Sequence, residues 1–274
     1  MSRRVQRIRS RNATFQQWQT LLTNRTKRHR AGQFVVQGVR PISLALQHDW
    51  DFEVVLRAIG ARPSQWAADV WRQAPGDRVE IPAEMLAELA ERDQDQEPEL
   101  VAVVRMPADD LDRLGGSPAL ITVFDRPTQP GNLGTLMRSI DAFGGTGLVV
   151  TGHAADPYDP RAVRASTGSL FAVPTVRTPS SQDVLDWLAV QRDSGVPLQL
   201  LGTDEGGEED LRRVDLTGPT VLVIGNETRG LSRGWREACD RIVSIPMVGS
   251  ASSLNAATAG SIVLHEAVQQ RRAP

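Results

Sequence analysis

LITVFDRPTQPGNLGTLMR, residues 120–138, decides the fold. Leu120–Phe124 is a short apolar run broken only by Thr122, the pattern of a strand buried on both faces. Asp125–Gly134 follows as a polar turn containing two prolines and two glycines, and apolar spacing then turns helical over Asn132–Phe143. Glycines let a backbone approach a ligand, and a helix N-terminus favours an anion. Asn132 is the expected N-cap. Arg138, six residues on, lies on a flank of the same helix, where it would reach back to a phosphate held at the turn. An ordinary βα turn beside an exposed arginine reads the same way.

Two more segments repeat the pattern. IGNETRGLS (224–232) follows the apolar strand Val221–Gly225 and sets Glu227 and Arg229 in a glycine-flanked loop at the sheet edge. IPMVGSASSLNAATA (245–259) runs from the strand Ile242–Ile245 through a small-residue turn into a helix over Ser253–Arg271. N-capping and close packing by alanines explain much of that pattern, but not Asn255 among small residues. All three segments lie where strands end, and in a parallel sheet ligands bind beyond the carboxyl ends of strands.

Around them the elements alternate. Further strands are expected at Gly147–Thr151, Val173–Val176 and Leu198–Gly202, with helices at Pro160–Thr167 and Ser181–Gln191. Several strands of this half are short continuous apolar runs rather than alternating ones, which predicts a mostly parallel sheet. Upstream, strands at Phe34–Val36, Phe52–Leu56, Val79–Ile81 and Leu100–Val104 alternate with helices at Phe15–His29, Pro41–His48, Ser64–Gln73 and Pro82–Glu91. This is a smaller α/β layered domain. The acidic stretch Glu91–Glu99 reads as a solvated loop, and MPADDLDRLGGSP (106–118) as the connection between domains. The division is therefore a flexible arm over 1–12, a small domain over 13–106, a linker over 107–118 and the large domain over 119–274.

Composition narrows the function. The chain has 274 residues, 40% hydrophobic and 23% charged, with one cysteine. Cys239 excludes an internal disulfide and a CxxC pair, reads as a core residue, and makes a cytoplasmic setting the default. The longest apolar run, Leu100–Val104, is far too short to cross a membrane. The four histidines have no metal-ligand spacing, and there is no Walker A sequence or dinucleotide fingerprint. Residues 1–48 hold nine arginines, Lys27 and no acid; the chain's net charge is −2, so +10 there leaves −12 on the other 226 residues. That asymmetry predicts a face for a polyanion. The run Arg25, Lys27, Arg28, His29, Arg30 at a helix end suits the macrodipole and equally suits phosphate.

NLGTLMR (132–138), IGNETRGLS (224–232) and IPMVGSASSLNAATA (245–259), in that order, resemble the three motifs of the SpoU (TrmH-type) branch of the SPOUT RNA ribose 2′-O-methyltransferases. The resemblance covers roughly residues 118–272. The N-terminal half resembles the L30e-like RNA-binding domain of many members. Its stretch SRNATFQQWQTLLTNRTKRHRAGQFVVQGVRPISLAL is similar to members that methylate 23S rRNA and confer resistance to an orthosomycin-type antibiotic. The resemblance implies a deep trefoil knot in the large domain, S-adenosylmethionine as cofactor, a homodimer and no metal. It places Asn132, Arg138, Glu227, Ser253 and Asn255 at catalytic positions. It places Leu201, Gly202, Thr203, Gly225, Ile245 and Leu254 against the cofactor, largely through backbone groups. The family's SLNV ending reads SLNA here. Arg138 is expected to clamp the target phosphate and stabilise the developing alkoxide. Asn255 and Ser253 would orient it or the ribose, and Glu227 would fix its loop. Arg9, Arg11, Arg25, Lys27, Arg28, Arg30 and Arg40 are the expected RNA contacts. A noncatalytic RNA-binding or ribosome-assembly protein on the same fold is the alternative, as is a phosphate- or nucleotide-binding enzyme using the 131–134 turn.

Overall fold

The computed structural model describes residues 5–90, 98–116 and 119–272. The start of the arm (1–4), most of the acidic stretch (91–97) and residues 117–118 of the connection lie outside the described residues. The chain divides into two compact units, Met1–Pro107 with Tyr158–Ala172, and Ala108–Pro157 with Val173–Pro274.

The first unit runs β1 (Val5–Arg7), α1 (Ala13–Thr23), α2 (Arg25–Ala31), β2 (Gln33–Gln37), α3 (Val39–Gln47), β3 (Phe52–Ala58), α4 (Gln65–Gln73), β4 (Asp77–Ile81), α5 (Ala83–Leu89), β5 (Val101–Arg105). Its sheet has the order β1-β4-β3-β5-β2, with β5 antiparallel to both neighbours. Strand residues alternate faces. Val35, Leu56, Val79 and Val103 pack with Phe15, Leu21, Met85 and Leu89 in one core. Phe34, next to Val35, instead meets Tyr158 and Phe171, with ring centroids 4.8 and 6.1 Å away. Residues 158–172, which the sequence places in the large domain, therefore complete the core of the first unit.

The basic N-terminus differs from the expected flexible arm. Val5–Arg7 adds an edge strand parallel to β4, and Ile8 is buried. Arg7 and Arg57 both bind Glu80 at 2.7 Å and hold its carboxyl below the ordinary value, Arg57 more strongly. Arg11 pairs with Glu88.

The single helix expected over 15–29 is two helices. Asn24 adopts an extended conformation, ends α1, and caps α2 by accepting from the Lys27 amide at 3.0 Å. Arg28 is thereby turned inward and is only 2% exposed. Its Nη1 donates to the carbonyls of Leu21 (2.9 Å) and Leu22 (3.3 Å), orphan acceptors at the end of α1, and its Nη2 lies 3.6 Å from Asp159. Arg28 is thus a structural cation, not an RNA contact. Arg28→Ala should lower folding stability by about 2 kcal/mol, because charged hydrogen bonds are lost and buried acceptors are stranded. Chemical denaturation measures this; an unchanged midpoint would refute the bracing role.

The second unit runs β6 (Leu120–Asp125), α6 (Pro130–Ala142), β7 (Gly147–Thr151), then, past α7 (Pro160–Ala165) and α8 (Ser169–Ala172) of the first unit, β8 (Thr175–Thr178), α9 (Ser181–Asp193), β9 (Gln199–Thr203), β10 (Glu209–Asp210), β11 (Thr220–Ile224), α10 (Arg233–Ala238), β12 (Arg241–Ser244) and α11 (Ala256–Arg272). All seven strands are parallel, in the order β10-β12-β9-β11-β6-β7-β8. The described part of the connection packs here: Leu114 is buried, and Asp109 binds Arg177 at 2.6 Å. Helix α11 lies on α6 because Gly260 allows it; a Cβ there would sit 2.6 Å from Leu136 Cδ1. Ser139 and Ser261 hydroxyls meet at 2.6 Å across that contact.

Candidate active site

Register brings the three motifs to one place. Phe124 pairs with Ile224, Ile224 with Thr203, and Thr203 with Val243. The carboxyl ends of β6, β11, β9 and β12 are therefore side by side. Strands β7 and β8 lie on one side of β6 while β11, β9 and β12 lie on the other. Strand order reverses here, which is where open α/β sheets hold ligands.

Helix α6 begins earlier than the sequence suggests. Pro130 opens it, as its fixed φ and missing N–H suit a first position, and Gln129 occupies the cap without a side-chain bond. Asn132 is therefore not the N-cap, and its amide is free for other partners. Its Nδ2 donates to Glu227 Oε1 at 3.2 Å, and its Oδ1 accepts from Asn255 Nδ2 at 3.0 Å. One hydrogen-bonded row, Asn255–Asn132–Glu227, joins all three motifs.

Each end of the row is anchored in backbone. Glu227 accepts from the amides of Thr128 (3.0 Å) and Gln129 (3.3 Å) and from the Thr128 hydroxyl (3.1 Å). Asn255 precedes α11, which starts at Ala256 rather than Ser253, and its Oδ1 accepts from the amides of Ala257 (2.9 Å) and Thr258 (3.2 Å). Asn255 thus caps α11 with its oxygen while its nitrogen holds Asn132.

Burial alone raises the Glu227 pKa, but hydrogen bonds from its own amide, Thr128, Asn132 and Gln129 outweigh it and leave the carboxyl below its ordinary 4.5. A group whose folded pKa is depressed contributes stability above its unfolded pKa and loses it as pH falls through the folded value. The clasp should therefore stay closed at neutral pH and loosen only below about pH 4.5. Tryptophan fluorescence or hydrogen exchange of the 226–232 loop against pH reads this; opening between pH 6 and 7 would contradict it.

The remaining predicted residues are placed as follows. Arg138 is exposed on α6 and has no ion-pair partner among the described residues. Ser253 is exposed and Leu254 is 37% exposed, both in the turn before α11. Leu201, Gly202 and Thr203 end β9, with Leu201 and Gly202 buried; Ile245 follows β12, half-buried. Gly225 is buried where β11 ends, and a Cβ there would lie 2.4 Å from the Gly230 carbonyl carbon. Arg9, Arg25, Lys27, Arg30 and Arg40 are exposed on the first unit, where Arg40 Nε donates to the Thr167 carbonyl at 3.0 Å. The two units carry these sets separately. Cys239 is partly buried, and burial, helped by Asp240, pushes its thiol up to about 12, so it is a packing residue.

Three residues escaped the sequence reading as working parts. Asp125, 3% exposed, accepts from Thr151 Oγ1 (3.1 Å), the Ser232 amide (3.2 Å) and Arg126 (2.9 Å). Arg126 has φ of 51°, a left-handed conformation costing about 1–3 kcal/mol in a non-glycine residue. Its carbonyl accepts from Asn226 Nδ2 at 2.6 Å, while Asn226 Oδ1 takes the amides of Thr228 and Arg229 at 3.0 Å. The 226–230 loop closes on itself through paired Asn226–Gly230 backbone bonds of 3.0 Å. Polarity at a strand end was their only signal.

Comparison with known proteins agrees with this arrangement. The family model of the SpoU rRNA methylase family matches residues 119–265, and that of the SpoU L30e-like domain matches residues 12–102. The chain is 54% identical to the 23S rRNA (uridine(2479)-2'-O)-methyltransferase of Streptomyces viridochromogenes, over 97% of this chain and 93% of that one. The crystal structure of the SpoU methyltransferase AviRb from the same organism, in complex with the cofactor AdoMet, superposes with a TM-score of 0.88 at 53% identity, covering 95% of this chain and 99% of that one. The AdoMet-bound rRNA methyltransferase of Sinorhizobium meliloti superposes at 0.83 with 30% identity, covering 97% and 98%. With both halves matched and all three motifs closed into one site, the chain belongs to the SpoU rRNA methylase family.

Proposed function

We propose that the protein transfers a methyl group from S-adenosylmethionine to the 2′-OH of a uridine ribose in 23S rRNA. The observation that carries this reading is 54% identity, over 97% of the chain, to an enzyme of that activity, with Asn132, Arg138, Glu227, Ser253 and Asn255 all present. Resistance to a ribosome-targeting antibiotic of the orthosomycin type, which the resemblance of the N-terminal half implies, and work in the cytoplasm where ribosomes are, belong to the same proposal.

The residues fit the cofactor. Gly225, lacking a Cβ, lets residues 230–231 close against the end of β11, and the ends of β9 and β12 offer main-chain groups beside it. Leu201, Gly202, Thr203, Gly225, Ile245 and Leu254 would hold it. Bound there, it supplies an electrophilic methyl on a sulfonium. The chain's own part is alignment: reacting atoms held in line at contact distance remove much of the barrier. The Asn255–Asn132–Glu227 row fixes the three loops that flank this place. Arg138, always charged, holds the target phosphate and stabilises negative charge growing on the ribose oxygen. Ser253 orients the same group. Membership of the family supports a knotted path in this unit. Exposed Met247, Val248, Leu254 and Ile262 support a second copy as the partner that covers them. Among the described residues no cluster suited to a metal stands together, and no helix is long and apolar enough to cross a membrane.

The test is transfer of labelled methyl groups to unmodified 23S rRNA, with tRNA in parallel. Incorporation that blocks alkaline cleavage at one uridine is expected. Incorporation into tRNA alone, or methylation of a base, would overturn the reading.

A further inference from the structure

Helices α1 and α2 line an open groove of about 460 Å³. Sites for small ligands span about 300–1,000 Å³. Leu21, 1% exposed, forms its floor, and Gln16, Gln17 and Thr20 line it from α1. Lys27 and Arg30 line it from α2, three residues apart and so on one face.

These groups are unlike their neighbours. Arg28 is buried on the end of α1, and Arg11 is taken by Glu88, which also accepts from Gln19 at 2.8 Å. Gln16 donates to the Arg11 carbonyl at 3.2 Å. The side chains of Gln17, Lys27 and Arg30 have no hydrogen-bond or ion-pair partner among the described residues. Helix α1 carries no acidic residue to offset the two cations. Two adjacent uncompensated charges repel each other until an anion joins them. A carboxamide beside them offers a donor and an acceptor together, the pattern that reads a base edge. Phe15 and Trp18 of the same helix are buried, so the groove has no aromatic wall for an apolar peptide anchor.

We propose that this groove holds one unpaired nucleotide of the RNA substrate, its flanking phosphates on Lys27 and Arg30 and its base edge on Gln17. The inference rests on the functional reading above and adds a specificity site on the first unit. RNA sequence is read mainly in single-stranded loops, where base edges are exposed.

The experiment measures affinity of the full chain for an unmodified, loop-bearing 23S rRNA fragment across a salt series. For each phosphate contact on a single strand, log K changes with log salt with a slope of about 0.7. Lys27→Ala with Arg30→Ala should flatten the slope by about 1.4. Gln17→Ala should leave the slope unchanged and weaken binding about tenfold, with no effect on a fully paired duplex. All three side chains are without a partner among the described residues, so melting temperature and S-adenosylmethionine binding should stay as in wild type. Wild-type affinity and slope in every variant, with methyl transfer intact, would refute the groove alone. Slopes and affinities as expected, with no methyl transfer by the wild type to 23S rRNA, would refute the catalytic reading and keep the groove. Loss from the cationic pair but none from Gln17 would refute the base contact.

Discussion

Arg138→Ala is expected to slow methyl transfer about 10²–10³-fold while S-adenosylmethionine binding stays unchanged, the size of effect seen when one donor to a developing oxyanion is removed. The side chain is exposed on α6 with no ion-pair partner among the described residues, so its removal strands no buried group and should leave the fold intact. A ribose hydroxyl is a weak nucleophile near neutral pH, and its oxygen gains negative charge as it attacks. A guanidinium is always protonated and offers a rigid fork of donors. In the proposed reaction it would therefore serve as charge stabiliser and phosphate clamp, and not as the proton acceptor. Arg138→Lys keeps the charge but loses the fork, and should recover only part of the rate. Single-turnover methyl transfer, with cofactor affinity measured separately, divides these effects. Full activity in Arg138→Ala would end the assignment. Equal loss of cofactor affinity would move Arg138 from the substrate side to the cofactor side.

The α/β alternation was legible because each long element repeats one period. Strands such as Val221–Gly225 read as buried runs, and the structure has β11 paired on both sides. What escaped notice is local geometry and long-range closure. Val5–Arg7 has three residues, too few to display a period, and its pairing is with β4 some seventy residues away. Helix α10, Arg233–Ala238, buries only Trp235, so it leaves no apolar stripe. Asn24 breaks a helix that the sequence carries on through the cationic run Arg25–Arg30, where no apolar residue marks a boundary. An asparagine in a helical stretch is ambiguous until its conformation is known.

The site shows the same division. The three motifs announced Asn132, Glu227 and Asn255 by type and order. Their joining into one row depends on Pro130 opening α6, which shifts Asn132 off the cap, and on α11 starting at Ala256. Arg28 marks the opposite failure. It sits in a run of cations that reads as one surface patch, yet the turn at Asn24 sends it inward. Charge patterning counts cations, whereas helix phase decides which of them reach solvent.

Gly225→Ala should abolish S-adenosylmethionine binding and, with it, methyl transfer. The added Cβ would lie 2.4 Å from the Gly230 carbonyl carbon and 2.5 Å from the Leu231 amide nitrogen. Those are backbone atoms, so no rotamer change relieves the clash. The loop cannot retreat either. Paired 3.0 Å bonds between Asn226 and Gly230 hold it closed, and the Ser232 amide is tied to buried Asp125 at 3.2 Å. The strain must move the whole 225–231 segment, carrying Glu227 away from Asn132 and Thr128. Overpacking of this kind costs about 1–3 kcal/mol, enough to lower the melting temperature without unfolding the chain. Gly218→Ala is the control, since a Cβ there meets nothing within 4 Å. Calorimetric titration with S-adenosylmethionine reads the difference. If Gly225→Ala bound the cofactor as wild type does, the 225–231 loop would lie outside the cofactor site, and the closing of the three motifs would serve the fold alone.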